Sequence, residues 1–322
     1  MTFDPDPEMH DADVVYALAA SPAFDRDGLC FSARASGLYR SEDGGATWQL
    51  AYDSLKLDGA LATPAGAVSP AFVSDRTVLA GVAGAILRSH DAGRTWYASM
   101  LPTPPPVVSC LAVSPDYARD GVIFAGTMED GVFRSSDRGS LWVRWNFGLL
   151  DLHVLALAPS PHFARDETLF VGTESGIFRS TNGGRAWREA PFPTDWAPVL
   201  SLAISPAFAQ DGLILAGTDE HGLYVSRDRS KTWARLGAGV LEGAVNAVLL
   251  AADFPGTPLA LAVTTEGVYT SADGGESWRT LAISLPDGEA VVTVSAPLGL
   301  RPAAPLLLGL SNGDVVVAGG QF

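Results

Sequence analysis

At 322 residues, with 47% hydrophobic and 18% charged side chains, the chain has apolar material for a large core and too little charge for a disordered one. Its formal net charge is −15, and lysine occurs only at Lys56 and Lys231 among cations that are otherwise arginine. A surface this acidic repels phosphate backbones and anionic membranes, so nucleic acid and membrane insertion are excluded as expected partners.

Taken in chain order, the acidic start Met1-Thr2-Phe3-Asp4-Pro5-Asp6 has neither a cationic n-region nor an apolar h-region. Apolar runs such as Val245–Ala252 and Leu259–Val263 are broken by Asp253, Pro255, Gly256 and Pro258, well short of the roughly 20 residues of a membrane span. A cytoplasmic chain is the expectation. Cys30 and Cys110 sit in apolar, strand-like runs and read as two buried, reduced thiols.

Two motifs then alternate. Ser21-Pro22-Ala23-Phe24 returns at Ser69, Ser114, Ser160 and Ser205, each time with an acid three residues beyond: Asp27, Asp75, Asp120, Asp166 and Asp211. Ser41-Glu42-Asp43-Gly44-Gly45-Ala46-Thr47-Trp48 returns with closing tryptophans at Trp96, Trp142, Trp187, Trp233 and Trp278, spaced 48, 46, 45, 46 and 45 residues apart. In the fourth unit, Val154–Ala158 reads as a first strand and Ser160–Glu167 as a Pro-containing loop. Thr168–Gly172 reads as a second strand, Glu174-Ser175-Gly176 as a tight turn, Ile177–Ser180 as a third strand and Ala186–Glu189 as the start of a fourth. Four strands in a period of about 45 residues is the size of a propeller blade. The Asp of the second motif can accept backbone N–H groups, its glycines supply positive φ, and the tryptophan can wedge between neighbouring sheets.

The pattern S-x-D-x-G-x-[TS]-W resembles the Asp-box, or BNR, repeat of the sialidase-like superfamily, found in sialidases, sortilin-type receptors, xyloglucanases and photosystem II assembly factors. The resemblance implies an all-β propeller of four-stranded antiparallel blades and leaves function open, because that family spans enzymes and binders. The six boxes carry Asp43, Asp91, Asp137, Asn182, Asp228 and Asp273. Asn182 in place of Asp, Ser230 in place of Gly and Ser140-Leu141 in the third box fit a structural role for the acid rather than chemistry or metal binding.

Register sets the blade number. From a closing Trp to the next Ser-Pro position is 18 residues at Trp96–Ser114, Trp142–Ser160 and Trp187–Ser205. The same step from Trp278 reaches Ala296-Pro297, which opens a seventh unit with Ala290–Ser295, Leu306–Leu310 and Asp314–Val317 as strands. The chain then reads as one domain, 1–322, with a seventh blade made of 288–322 and 1–6. Met1–Asp4 is expected to supply its outer strand, with Phe3 beside Val315–Val317.

First strands line the channel of a propeller, and their charges fall only near their starts, at Asp13, His153 and Glu289. Glycosidase chemistry needs two converging carboxylates, and a sialidase also needs an arginine cluster; Arg40, Arg88, Arg134 and Arg179 instead recur as blade architecture. No local metal, nucleophile or phosphate-loop motif is present, so no cofactor and no metal are expected. On the opposite, loop face, Trp145 and Trp196 lie outside the repeat, with Phe147, Asp195, Glu129, Asp130, Glu174, Asp219, Glu220, His221 and Glu266 as acidic or aromatic neighbours. The expectation is a non-enzymatic scaffold binding a protein or peptide there. The alternatives are a carbohydrate-active enzyme or sugar-binding protein using the rim acids with Trp145 and Trp196, and a subunit propeller docking by its edges or Asp-box face.

Overall fold

A computed structural model describes residues 13–102, 104–194 and 196–320. Six antiparallel sheets of four strands and one with three described strands stand around a ring, making a seven-bladed β-propeller. In blade 4 the strands are Val154–Pro159, Leu169–Thr173, Ile177–Ser180 and Arg188–Glu189, paired in that order. The ring closes where Val15–Ala20 of blade 1 packs beside Val291–Ser295 of blade 7 and Ala65–Val68 of blade 2. Blade 7 contributes Val291–Ser295, Pro305–Leu310 and Val315–Gly319. The expected strand at Met1–Asp4 lies outside the described residues.

In blades 2 to 5 and 7 the spacing to the next blade is set by a glycine in the second strand and a valine at the start of the next blade's first strand, while blade 6 has Val263 in the glycine's place. A Cβ at Gly126 would stand 2.5 Å from Val154 Cγ1, at Gly172 2.5 Å from the Val199 carbonyl oxygen, and at Gly309 2.5 Å from Val15 Cγ1. Blade 1 has Ala33 at this position, and its neighbour opens with Ala65-Gly66 instead of valine. The seam keeps its volume by exchanging which side is small.

Each Ser-Pro stretch, expected as loop, contains one turn of helix in blades 1 to 5, for example Phe163–Asp166. The recurring acid is the cause. Ser160 Oγ donates to Asp166 Oδ2 (2.6 Å) and accepts the His162 N–H, while Asp166 Oδ1 accepts the Thr168 N–H. The same clamp joins Ser21 to Asp27, Ser69 to Asp75, Ser114 to Asp120 and Ser205 to Asp211. The aromatic residue of the motif is then buried against the preceding blade, as in the edge-to-face pairs Phe124–Phe163 and Phe170–Phe208.

The Asp turn is closed from both sides. Ser41 Oγ donates to Asp43 Oδ1 and accepts the Gly45 N–H, while the Thr47 N–H and hydroxyl reach Asp43 Oδ1 and Oδ2 at 2.9 and 2.5 Å. The hydroxyls of Thr47, Thr232 and Ser277, and then the backbone N–H groups, pull Asp43, Asp228 and Asp273 down to about 2. In blade 4 two changes go together: Asn182 keeps the Oδ1 acceptor, which takes the Ala186 N–H, and Ala186 lacks the hydroxyl that the missing second oxygen would have received. A carboxylate held below its unfolded pKa of about 3.9 adds stability above that pH and loses it as the pH falls toward the folded value. Denaturation midpoints followed against pH are therefore expected to fall between about pH 4 and pH 2, and the fall should shrink when Asp43 and Asp273 are replaced by Asn.

Both cysteines are free thiols, and burial pushes Cys30 up to about 12, out of the reactive range. No helix among the described residues is long and apolar enough to cross a membrane.

Candidate functional site

Turns between second and third strands and connections from fourth to first strands share one face, opposite the Asp turns. At blade 4 these segments enclose a cleft of about 930 Å³. Its floor is the connection Leu150–His153, fixed to both flanking turns. The Leu152 carbonyl accepts the Gly131 N–H of blade 3 (3.0 Å), and Asp151 Oδ2 accepts the Ser175 N–H of blade 4 (2.8 Å). Asp151 Oδ1 also takes the His153 N–H at 3.0 Å. Burial alone would raise the Asp151 pKa, but these hydrogen bonds outweigh it and hold the carboxyl below its ordinary value. Asp13 does the same in blade 1, accepting the Ser36 N–H, so Asp151 is a clamp first and a cleft acid second.

The walls carry Glu129, Glu174, Glu189, Phe192 and Trp196. His153 Nδ1 lies 3.2 Å from Asp151 Oδ1 and 3.9 Å from Glu174 Oε2, and no lysine or arginine is among the residues lining the cleft. Phe192 is half-buried, with its ring against Tyr224 and Trp233 of blade 5 at 5.0 and 5.3 Å between centroids. Trp196 follows it with φ of 52° and is 76% exposed; Leu150 on the facing connection is 78% exposed. A hydrogen-bonded floor carrying Asp151 thus sits beside an open indole and an open leucine.

Of the residues expected at the site, Glu129, Glu174 and Trp196 meet in this cleft, and Asp195 lies outside the described residues. Trp145 stands elsewhere. Its N–H pairs with the Val132 carbonyl, so it continues the outer strand, and its ring turns to the seam with blade 4, 4.3 Å from the Arg134 guanidinium and 5.4 Å from that of Arg185. Its carbonyl accepts the Trp187 indole N–H at 2.7 Å. Phe147 is fully open, beside the start of the blade 4 outer strand. Asp130 is engaged by Arg144 at 3.0 Å. Asp219, Glu220 and His221 form the blade 5 turn and Glu266 the blade 6 turn, on the same face but outside the cleft.

Sequence reasoning missed Asp151 and Glu189. The first has a signal, an acid just ahead of the first strand, three residues before Val154 as Asp13 is two before Val15; the second has none, being one residue of a two-residue outer strand.

Charge divides between the faces. On the Asp-turn face arginines alternate with acids: Arg40 and Arg94 reach Glu42, Arg185 reaches Glu167 and Arg227 reaches Glu276. On the loop face Arg144 and Arg235 are held by Asp130 and Glu242, while Glu129, Asp219, Glu220 and Glu266 have no ion pair among the described residues. Among the described residues no group of three or more His, Cys, Asp or Glu is placed to hold a metal ion.

No family model matches the chain, and no curated protein matches it in sequence. Solved structures do. It resembles the GH74 xyloglucanase of Xanthomonas campestris with a TM-score of 0.74 at 17% identity, covering 96% of this chain and 52% of that one. It resembles YCF48 bound to D1 peptide with a TM-score of 0.69 at 14% identity, covering 97% of both chains. A third likeness is to the extracellular domain of BT4673 from B. thetaiotaomicron, with a TM-score of 0.70 at 15% identity over 96% of this chain and 38% of that one. The chain therefore spans about half of the xyloglucanase and less of the extracellular domain. At identities this low the likenesses establish one thing, the seven-bladed propeller.

Proposed function

We propose that this chain is a non-catalytic propeller of the Asp-box type that binds a protein or peptide segment in the blade 4 cleft. The segment presents a cationic side chain next to an apolar or aromatic one. The observation that carries this is the cleft itself: an exposed indole and leucine beside Glu129, Glu174 and Glu189, with Asp151 already committed to the floor. An ammonium or guanidinium group would find counter-charge there and an aromatic face for its neighbour. YCF48, similar in fold and length, has been solved bound to a peptide, which supports the reading without fixing the partner.

The test is fluorescence anisotropy with labelled ten-residue peptides, one pairing arginine with phenylalanine, one pairing glutamate with phenylalanine, and xyloglucan oligosaccharide as competitor. The arginine peptide should bind, more weakly as salt rises. Trp196→Ala should weaken it about tenfold, on the order of 1.4 kcal/mol, as should Glu129→Gln with Glu174→Gln; Trp145→Ala should leave it unchanged. Equal binding of the glutamate peptide, or binding of the sugar alone, would overturn the proposal.

A further inference from the structure

The Asp-turn face carries a second feature, which shares Glu189 and Ala190 with the wall of the loop-face cleft. Between the outer edges of blades 4 and 5 runs a groove of about 530 Å³ lined by Arg179, Arg188, Arg229 and Lys231, with Glu189 as its single acid. The groove between blades 1 and 2 shows what is usual: there Arg40, Arg76 and Arg94 are matched by Asp27, Glu42 and Asp91. At blades 4 and 5 the balance is broken by the sequence. On one side Thr181 and Asn182 stand where blade 1 has Glu42 and Asp43; on the other Arg229 stands where blade 2 has Ala92, beside Lys231 in the place of Arg94. None of the four cations makes an ion pair among the described residues. Burial and then the nearby Arg229 guanidinium lower the Arg179 pKa, against a smaller opposite pull from Asp166.

Arg179 has a structural duty, donating from Nη1 to the Arg229 carbonyl (3.0 Å), as Arg88 does to the Arg138 carbonyl. Arg188 and Lys231 are exposed and carry no such duty. We propose that this groove is an oxyanion site that takes a phosphoryl group, held by the planar fork of Arg188 and the point charge of Lys231 against the field of Arg179 and Arg229. The same chemistry is offered by a phosphorylated segment and by free phosphate.

Calorimetric titrations at fixed ionic strength separate the two sources, using inorganic phosphate, a five-residue phosphoserine peptide of otherwise glycine, and its unphosphorylated form. Saturable binding is expected for the first two and none for the third; a tighter phosphopeptide identifies a segment as the ligand, and equal affinities identify the ion. Arg188→Ala with Lys231→Ala should weaken phosphate binding about tenfold. Asn182→Asp restores the usual turn acid without threatening the fold, and should weaken it about threefold by returning negative charge to the groove. Arg26→Ala, a 73% exposed arginine elsewhere on this face, should change nothing. The proposal is wrong if neither phosphate nor the phosphopeptide saturates the wild type, or if the double variant and Asn182→Asp bind as it does.

Discussion

Gly217→Ala is expected to lower stability by about 2–3 kcal/mol, a large cost for one added methyl group. A Cβ there would lie 2.5 Å from the Val245 carbonyl oxygen of the next blade, and that oxygen belongs to a first strand pinned in the ring. Ser201 Oγ already donates to the same carbonyl at 2.8 Å, so the backbone cannot retreat without breaking a buried hydrogen bond. The same logic makes Gly172→Ala costly against the Val199 carbonyl. Gly59→Ala is the control, since nothing lies within 4 Å of its Cβ position; it should be neutral or slightly stabilising. Urea denaturation midpoints with an unchanged slope would confirm the order.

Trp96→Ala should cost about 3–5 kcal/mol, the range for deleting a buried aromatic. The ring is 7% exposed, stands edge-on to Tyr52 of blade 1 at 5.5 Å, and donates from Nε1 to the Ala51 carbonyl at 2.8 Å. It therefore welds two blades. Trp96→Phe separates packing from the hydrogen bond, because it keeps most of the apolar contact and leaves the buried Ala51 carbonyl unpaired, at a cost of about 1–2 kcal/mol. Trp233→Phe should cost less than about 1 kcal/mol, because Trp233 Nε1 is buried without a partner. If Trp96→Phe and Trp233→Phe lose equal stability, the cross-blade hydrogen bond contributes nothing.

The ring was legible because its repeat has a period. Counting 18 residues from each tryptophan carried the repeat to a seventh blade, and strands Val291–Ser295, Pro305–Leu310 and Val315–Gly319 stand within a residue or two of where that count put them. Periodicity also exposed the Ser-to-acid spacing, but not that this spacing closes a turn of helix, since Ser160 and Asp166 meet only once the chain bends back. The seam glycines were in plain view at Gly126, Gly172 and Gly217; their meaning depends on a valine nearly thirty residues ahead, which no local pattern reports. The site was half legible. Placing Glu129, Glu174 and Trp196 on one face followed from topology, whereas Trp145 extends the outer strand by one residue and so turns its ring to the seam. Orientation at a strand end changes with a single residue, and composition cannot supply it.

Hydrogen exchange of the full chain, with and without the arginine–phenylalanine peptide, decides which face binds. Protection is expected at Leu150–His153, at Glu174–Gly176 and around Trp196, with the Asp turns unchanged. Protection confined to Thr181–Ala186 and Asp228–Thr232, on the opposite face, would contradict binding in the cleft.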